Sequence, residues 1–491
     1  MKIRSILLFI LISLVFVYVV AHIVIVKKLN KFIAQEDSIT VENTSLNLLM
    51  GNLSLEGATI SDERFTTDTC TIKSIKVKGF SIIDYLFDKQ ININDITLQG
   101  GKLFLRKQTK QDSSKQSKQI FNISKITIES VDFNYGSEKF SVQANQGSVN
   151  LTNVTNVEKL QYKDLLVSFK DITFNPKNGI HKLLTEKIEL NSAEGQFSAG
   201  KFTLQPKCSV EDWPNCYPDK KVRIKYSATN IISKLDQNAM SSGIFLQELE
   251  IGNGLLEIIS HEEMEVSDSP KAFFMKQFDK LNVPIDIPVM KVKNQTIRVL
   301  LKGEFIDPNV DTISFNQLFA TITNITNLPD KLKVNNSIKV ITLSKFMDSK
   351  LSVDFDFKIK DPVSAYTFKL SLDPMPFTKL NRALNYNTPL VVEKGKLHQL
   401  DCEVTGNTLI SNGQCSIAYE ELLVRLEDKK GEKRKFISRL LNLAVKDGTR
   451  KSGSLEPKVF ENTLERDVNK DFFFQTYTII LGTISDAMIL I

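Results

Sequence analysis

Residues that could carry out catalysis are few in this 491-residue chain, and their spacing matches no common active-site motif. The chain lacks the nucleophile elbow GxSxG, the phosphate-binding GxxxxGK[ST] loop, the zinc-binding HExxH helix and the dinucleotide-binding GxGxxG turn. Histidine occurs only four times, as His22, His181, His261 and His398, and none follows another at ligand spacing. The sequence therefore predicts a protein that is not an enzyme and has no catalytic residue, metal ligand or cofactor site.

One carboxylate pair deserves a separate reading. Asp354 and Asp356 flank Phe355, and alternate residues of a strand face the same side, so the two carboxylates can share a cation. The same spacing also arises on any solvated strand face. The regular alternation of apolar and polar residues around the pair favours the solvated face.

Five cysteines occur without a CxxC motif, which argues against a zinc or thioredoxin-like site. Cys208 and Cys216 bracket a short loop, and Cys402 and Cys415 bracket a predicted hairpin turn. Either pair can form a disulfide in an oxidising compartment, and unpaired buried thiols are the alternative. Cys70 is left over in both cases.

The longest apolar run, Ile6–Val26, contains no charged residue. About 20 helical residues span a bilayer core, so the run predicts an N-terminal transmembrane anchor. A cleaved signal peptide, ending near Ala21, is the alternative, but the run continues beyond that point. The predicted anchor residues include Ile6, Leu7, Leu8, Phe9, Leu14, Phe16, Val20 and Val26.

Charges on both sides of the run bear on its orientation. Lys27, Lys28 and Lys31 follow it and favour keeping that end inside, whereas Lys2 and Arg4 precede it. The β-rich body suits export, so we expect the N-terminus in the cytoplasm and the body outside. In a bacterium this predicts a single-pass inner-membrane protein with its body in the periplasm.

Beyond the anchor, apolar and polar residues alternate in short runs, which is the period of a strand with one apolar face. The fold class is predicted to be mainly β: a transmembrane helix, then an elongated, curled antiparallel sheet shaped like a trough, a few short helices and a helical C-terminal tail. Helices are expected at Ser81–Phe87 and 268–282, and a β-bulge is expected at Ser130. The predicted regions are the anchor at 1–31, a first β region at 32–106, a polar linker at 107–119, a continuing sheet at 120–426 and a charged, helical tail at 427–491.

The apolar strand faces are either covered, which gives a closed core, or partly open, which gives a groove. At 42% hydrophobic residues the composition allows both. A net charge of +6, with basic and acidic residues interleaved, argues against a nucleic-acid partner. The residues expected to line a groove are Ile75, Val77, Ile126, Ile128, Phe133, Val353, Phe355, Phe357 and Ile359.

Several stretches resemble the AsmA-like family of Gram-negative envelope proteins, in particular the kind found in Bacteroidetes. They are the anchor followed by SLNLLMGNLSLEGATI, then SIKVKGFSIIDYLFDKQININDITLQGGKLFLR, then the part from Leu380 to Leu426, and the tail ERDVNKDFFFQTYTIILGTI. The resemblance extends in order along most of the chain, although 140–370 is similar only as β structure. It implies an inner-membrane anchor, a long curled sheet with an apolar groove, and no catalytic residues, as in the related bridge-like lipid transfer proteins.

The predicted function is therefore non-enzymatic lipid binding, phospholipid above all, in support of outer-membrane biogenesis or intermembrane phospholipid transfer. An alternative is an envelope assembly factor that chaperones outer-membrane proteins at a sheet edge without transporting lipid, with other envelope assembly proteins as partners. A membrane-tethered hydrolase with an unusual site is a third hypothesis, against which the scarcity of histidine argues.

Overall fold

A computed structural model describes most of the chain after residue 38. The described residues are 39–61, 68–106, 120–157, 160–236, 243–261, 264, 270–302, 312–381, 390–426, 449–451, 454–469, 472, 475–476, 478–480 and 482. The predicted anchor at 1–31 and the polar linker at 107–119 lie outside them. Within these ranges no helix has the length and apolarity needed to cross a membrane.

Strands dominate the described residues, and 21 of them belong to one sheet. The strands are β1 (Ile39–Asn47), β2 (Asn52–Ile60), β3 (Cys70–Lys78), β4 (Ile91–Arg106), β5 (Phe121–Gly136), β6 (Phe140–Thr155), β7 (Asp164–Pro176), β8 (His181–Asn191), β9 (Gln196–Pro206), β10 (Val222–Leu235), β11 (Ile244–Ile251), β12 (Gly254–His261), β13 (Ile285–Lys302), β14 (Thr312–Thr326), β15 (Ser337–Phe346), β16 (Ser349–Lys358), β17 (Tyr366–Leu372), β18 (Met375–Pro376), β19 (Leu390–Gly406), β20 (Ile410–Leu426), β21 (Arg450–Lys451), β22 (Ser454–Leu455) and β23 (Lys458–Glu465). The short helices are Ile82–Asp88, Trp213–Cys216, Phe274–Phe278, Pro329–Val334 and the 3₁₀ helix Phe377–Leu380.

The prediction of a mainly β fold is confirmed, but the prediction of a purely antiparallel sheet is wrong. Strand β4 runs parallel to β5, and β13 runs parallel to both β11 and β12. The other pairings in the sheet whose register is resolved are antiparallel. A parallel pair needs a crossover that returns the chain to the same end of the sheet. Strand periodicity is the same in both directions, so the sequence pattern did not reveal these crossovers.

The first predicted helix is confirmed. It covers Ile82–Asp88, and the Ser81 hydroxyl at its N-cap accepts a hydrogen bond from the Asp84 amide at 3.3 Å. That bond satisfies one of the amides that a helix start leaves without a partner. The helix ends at Lys89, whose φ of 56° is left-handed.

The second predicted helix is shorter than expected. The sequence predicted 268–282 with Phe273 on the same face as Phe274 and Phe278, whereas the helix covers only Phe274–Phe278. Phe273 is extended at its N-cap, and the preceding Lys271 amide donates to the Val468 carbonyl at 2.8 Å. That long-range backbone bond holds the chain extended before the helix begins.

The C-terminal region also differs from the predicted helical tail at 427–491. Strand β23 lies within it and pairs antiparallel with β20, from Ile410 opposite Glu465 to Ile417 opposite Lys458. The strand has strict alternation between half-buried and exposed residues. The described residues from Phe472 onwards, which are Phe472, 475–476, 478–480 and Gly482, are helical. The tail therefore adds a strand to the sheet before it becomes helical.

The chain divides into two compact units, Met1–Phe202 (unit 1) and Thr203–Ile491 (unit 2), with the boundary inside β9. Two buried hydrophobic clusters lie in the described residues, and every member of both belongs to unit 2. One centres on β19 and β20, and the other on β16, β17 and the helical residues after Phe472. The two units therefore bury their apolar residues in different ways.

Both cysteine pairs form disulfides, and Cys70 is a buried free thiol. Cys402 and Cys415 lie directly opposite each other on β19 and β20, within the first buried cluster. Cys208–Cys216 closes the loop that carries the Trp213–Cys216 helix, whose Trp213 side chain is fully buried. The structure thus resolves the pairing that the sequence left open.

Candidate functional site

The apolar residues of unit 1 form straight rows across its sheet. In the first row each residue lies opposite the next on a neighbouring strand: Leu53, Val77, Ile96, Ile126, Leu151 and Leu165. Two residues further along each strand lies a second row: Leu55, Ile75, Leu98, Ile128, Val149, Val167 and Leu190. Since residues two apart on a strand share a face, both rows lie on one face of the sheet, which we call the apolar face.

A third row on the apolar face consists of small or branched residues. It runs through Ala58, Ile72, Gly101, Val131 and Gly147, and we call it the bulge row. Ala58, Ile72 and Val131 are buried, whereas the residues of the first two rows on β2 to β5 are half-buried. These three residues of the bulge row are therefore more deeply buried than the first two rows on the same strands.

Extra residues separate the second row from the bulge row. Gly57 on β2, Gly100 on β4 and Ser130 on β5 lie between the two rows and have left-handed backbone. Gln146 on β6, next to Gly147, and Lys187 on β8 have the same conformation. The predicted bulge at Ser130 is confirmed by the register shift between Ile128 and Val131. Bulges bend a strand and increase its twist, and each one here keeps apolar residues on the same face.

Aromatic rings extend over the bulge row. The Phe133 and Phe169 rings lie edge to face, with centroids 5.8 Å apart. A Cβ built on Gly147 would come within 2.5 Å of the Phe169 ring and 2.9 Å of the Phe133 ring. The two rings therefore lie directly over Gly147.

No described element of unit 1 covers the apolar face. Its helix, Ile82–Asp88, lies at one end of the sheet, where the Ser81 amide donates to the Asn92 carbonyl and the Asn92 side chain donates to Asp84. Most residues of the first two rows remain half-buried, and neither buried cluster includes them. Among the described residues of unit 1, none covers the apolar face, which in that sense is open.

Unit 2 has the same alternation of apolar and polar residues, but its apolar face is covered. Strand β16 has the same pattern, with Val353, Phe355 and Phe357 on one face. Phe472, from the helical C-terminal residues, places its ring 5.4 Å from that of Phe357 and 5.7 Å from that of Phe273. Phe357 is 5% exposed, so this face of the sheet has a closed core.

Polar contacts fix the C-terminal cover in place. The Tyr366 and Ser411 hydroxyls are 2.7 Å apart, and the Gln475 side chain donates to Ser411 at 2.9 Å. All three side chains are buried, and burial raises the pKa of the Tyr366 phenol, so it stays protonated. The Arg466 guanidinium lies 4.0 Å from the centre of the Phe273 ring. A buried polar network of this kind specifies one arrangement of the segment.

The nine predicted groove residues fall into two settings. Ile75, Val77, Ile126, Ile128 and Phe133 come together on the open apolar face of unit 1. The remaining four lie in unit 2, where Phe357 and Ile359 are members of the covered cluster and Val353 and Phe355 pack against it. The predicted anchor residues lie outside the described part of the chain.

Several residues of the apolar face were not among the predicted groove residues. Val149, Leu151, Val167 and Phe169 are on β6 and β7, next to the predicted residues of β5. The sequence predicted a strand around Leu165–Phe174, which contains Val167 and Phe169, but nothing in it showed which strands are neighbours. Gly101 and Gly147 of the bulge row were missed because glycine carries no hydrophobic signal.

The polar candidates have ordinary strand neighbours. Asp356 accepts a hydrogen bond from Ser337 and lies 3.3 Å from the Lys358 ammonium, and Asp354 lies opposite Lys369 on β17. His398 Nε2 lies 2.9 Å from a carboxylate oxygen of Glu420. Within the described ranges no three histidine, cysteine or acidic side chains are grouped as a metal site would need. The open apolar face is thus the candidate functional site.

Comparison with protein-family models and with curated protein sequences finds no match to this chain. The resemblance to the AsmA-like family therefore stays a prediction that rests on the quoted sequence stretches.

Proposed function

We propose that this chain is a membrane-anchored, non-enzymatic bacterial envelope protein whose unit 1 binds phospholipid acyl chains on its open apolar face. Ile6–Val26 holds it in the inner membrane, and the body lies in the periplasm. Bound lipid serves outer-membrane biogenesis or transfer between the two membranes. The observation that carries the proposal is the open face itself, with its continuous rows of aliphatic side chains.

The chemistry of the face favours an acyl chain over a peptide. A peptide laid on a sheet face finds no partners for its backbone amides and carbonyls, because the sheet already uses its own in strand pairing. An acyl chain has no such groups to satisfy. Each methylene removed from water contributes about 0.8 kcal/mol, so ten of them contribute about 8 kcal/mol before the cost of immobilising the chain.

The dimensions of the face also suit lipid. Strands β4, β5 and β6 are each 16 residues long. At about 3.3 Å per residue this corresponds to about 50 Å, whereas a bilayer leaflet's hydrocarbon layer is about 15 Å deep. The strands are therefore longer than an acyl chain, which fits lengthwise along them.

Two disulfides support the location. Disulfides form and persist in oxidising compartments such as the periplasm and are rare in a reducing cytoplasm. Cys402–Cys415 and Cys208–Cys216 are both closed in this structure. The uncharged run Ile6–Val26 supplies the expected attachment to the inner membrane.

The proposal is tested by photo-crosslinking in cells that carry the full chain and radioactive phospholipid. A photoreactive phenylalanine analogue replaces Val149, on the apolar face, or its neighbour Asn150, which points to the opposite face. We expect labelled phospholipid on the first protein and at least tenfold less on the second. An Ile128→Asp change, which places a carboxylate opposite position 149, should abolish the label.

Equal labelling at both positions, or at neither, would contradict the proposal. Crosslinks from position 149 to unfolded outer-membrane proteins, without phospholipid, would favour the assembly-factor alternative instead.

A further inference from the structure

Exposed large apolar side chains of unit 1 collect at one end of its sheet. We call this the tip end. It comprises the turn 48–51, the helix Ile82–Asp88 and the described residues of 156–163, and strand register places all of them at the same end. Its exposed apolar side chains are Leu49, Met50, Tyr85, Phe87, Val157, Leu160 and Tyr162.

The opposite end of the same sheet differs. Its described connections are Ser61, 68–69, 137–139 and 177–180, and none of these residues is an exposed large hydrophobic. Leu105, the next-to-last residue of β4, is 40% exposed at this end. The asymmetry matters because scattered exposed apolar residues are normal on a protein surface, whereas a concentration of them marks an interaction site.

The elements of the tip end are physically continuous. The Phe80 amide donates to the Gly51 carbonyl at 2.9 Å, which joins the 48–51 turn to the start of the helix. The Phe121 amide donates to the Asn156 side chain at 2.8 Å, and the Asn122 amide group donates to Asn92 at 3.0 Å. These bonds link the three elements through neighbouring strands, so their apolar side chains share one surface.

We propose that the tip end contacts the surface of a lipid bilayer, with its apolar side chains inserted between the headgroups. Phe87 is 81% exposed on the helix, and Leu49 (79%) and Leu160 (67%) are exposed in two separate connections, so each projects singly from a different element. Side chains that project singly enter a fluid interface without a matching pocket. A protein partner would need a complementary cavity for each.

Several other side chains at the tip end suit the headgroup layer, although the exposed carboxylate of Asp88 lies next to Phe87. Tyr85 and Tyr162 each combine an apolar ring with a hydroxyl, and tyrosine is enriched at the depth where bilayer and water meet. The Lys89 ammonium lies 6.0 Å from the centre of the Tyr85 ring, and Lys163 is exposed next to Tyr162. Ammonium groups at this depth can contact lipid phosphates.

The chain before β1 is long enough to allow the contact. β1 begins at the opposite end, because Ile39 lies opposite Ile60, and its nine residues cover about 30 Å. The predicted anchor ends at Val26, and residues 27–38 can extend about 40 Å. At that maximum extension the tip end can reach the same bilayer surface that the predicted anchor enters.

The test uses the full chain reconstituted in vesicles whose phospholipids carry bromine on their acyl chains, which quenches tryptophan at short range. Trp213 is fully buried and gives a constant reference in every variant. Phe87→Trp and Leu49→Trp place reporters at the tip end, and Asn178→Trp places one in an exposed turn at the opposite end. We expect at least twofold quenching of the added fluorescence for the first two and none for the third.

The proposal would be overturned if neither tip-end variant is quenched more than the wild-type protein. It would also be overturned if the added fluorescence of Asn178→Trp is quenched as strongly as that of the tip-end variants. A protein partner at this end would also leave both reporters unquenched in pure lipid. The inference does not depend on acyl-chain binding, because none of the three positions lies in the rows of the apolar face. Its failure and that of the proposed function are therefore separable.

Discussion

Unit 1 and unit 2 are built from the same sequence pattern and bury it differently. In both, apolar residues alternate with polar ones along strands, as Ile126 and Ile128 do on β5 and Phe355 and Phe357 do on β16. The first pair is half-buried on an open face. The second pair lies under Phe472, and Phe357 is almost fully buried.

The difference teaches that strand alternation defines a face but not what lies on it. Unit 2 gains its cover from residues far away in sequence, since Phe273 and Phe472 both contact Tyr366. The Gln475–Ser411–Tyr366 network then fixes that cover. Unit 1 has no equivalent segment among its described residues, and the proposed binding of lipid rests on this difference.

The largest expected effect comes from truncating one ring in each setting. Phe472→Ala should lower the free energy of unfolding of unit 2 by about 3–5 kcal/mol, because it leaves a cavity in a closed core. Phe133→Ala, on the half-buried face, should cost unit 1 only about 1–1.5 kcal/mol. Denaturant-dependent hydrogen exchange, followed by mass spectrometry of peptides from each unit, measures the two separately.

Equal costs for the two variants would remove the distinction between a covered and an open face. Tyr366→Phe refines the comparison, because it keeps the ring but removes the hydroxyl that contacts Ser411. Tyr366→Phe should lower the free energy of unfolding of unit 2 by about 1–2 kcal/mol and leave that of unit 1 unchanged.

The disulfide on β19 and β20 provides a second comparison. Replacing Cys402 and Cys415 together by alanine should lower the unfolding free energy of unit 2 by about 2–4 kcal/mol and leave the exchange of unit 1 peptides unchanged. Because both sulfurs are buried, a mild reductant should open Cys208–Cys216 first, where Cys216 is exposed. Alkylation and mass spectrometry report the order, and simultaneous reduction would show that burial does not protect the bond.

The last comparison adds one methyl group beneath an aromatic ring in each unit, and the variant in unit 1 has the smallest expected effect on the free energy of unfolding. Gly406→Ala brings a Cβ within 2.6 Å of the buried Tyr366 ring, which cannot move aside, so we expect a cost of about 1–3 kcal/mol. Gly147→Ala meets the Phe169 and Phe133 rings at similar distances, but those half-buried rings can swing outward.

For Gly147→Ala we therefore expect less than about 1 kcal/mol. Thermal unfolding of both variants beside the wild type checks the ranking. A larger loss for Gly147→Ala would mean that the apolar face is packed as tightly as a closed core.

The local elements were predictable because their causes are local. Alternation predicted β2, β3, β5 and β16, and the short stretch between two predicted strands predicted a helix at Ser81–Phe87. The bulge at Ser130 followed from a single slip in the alternation. Cysteine spacing narrowed the disulfides to two pairs, which both formed.

The sequence by itself determined that this protein is a one-faced β structure without a recognisable catalytic motif, because the period of side chains along a strand is fixed by backbone geometry. Only the tertiary structure decided the parallel pairings of β4 with β5 and of β13 with β11 and β12. It also decided which face is covered, since Phe472 reaches Phe357 across more than a hundred residues of chain. Contacts between residues so distant in sequence depend on how the strands are ordered, and periodicity contains no information about that order.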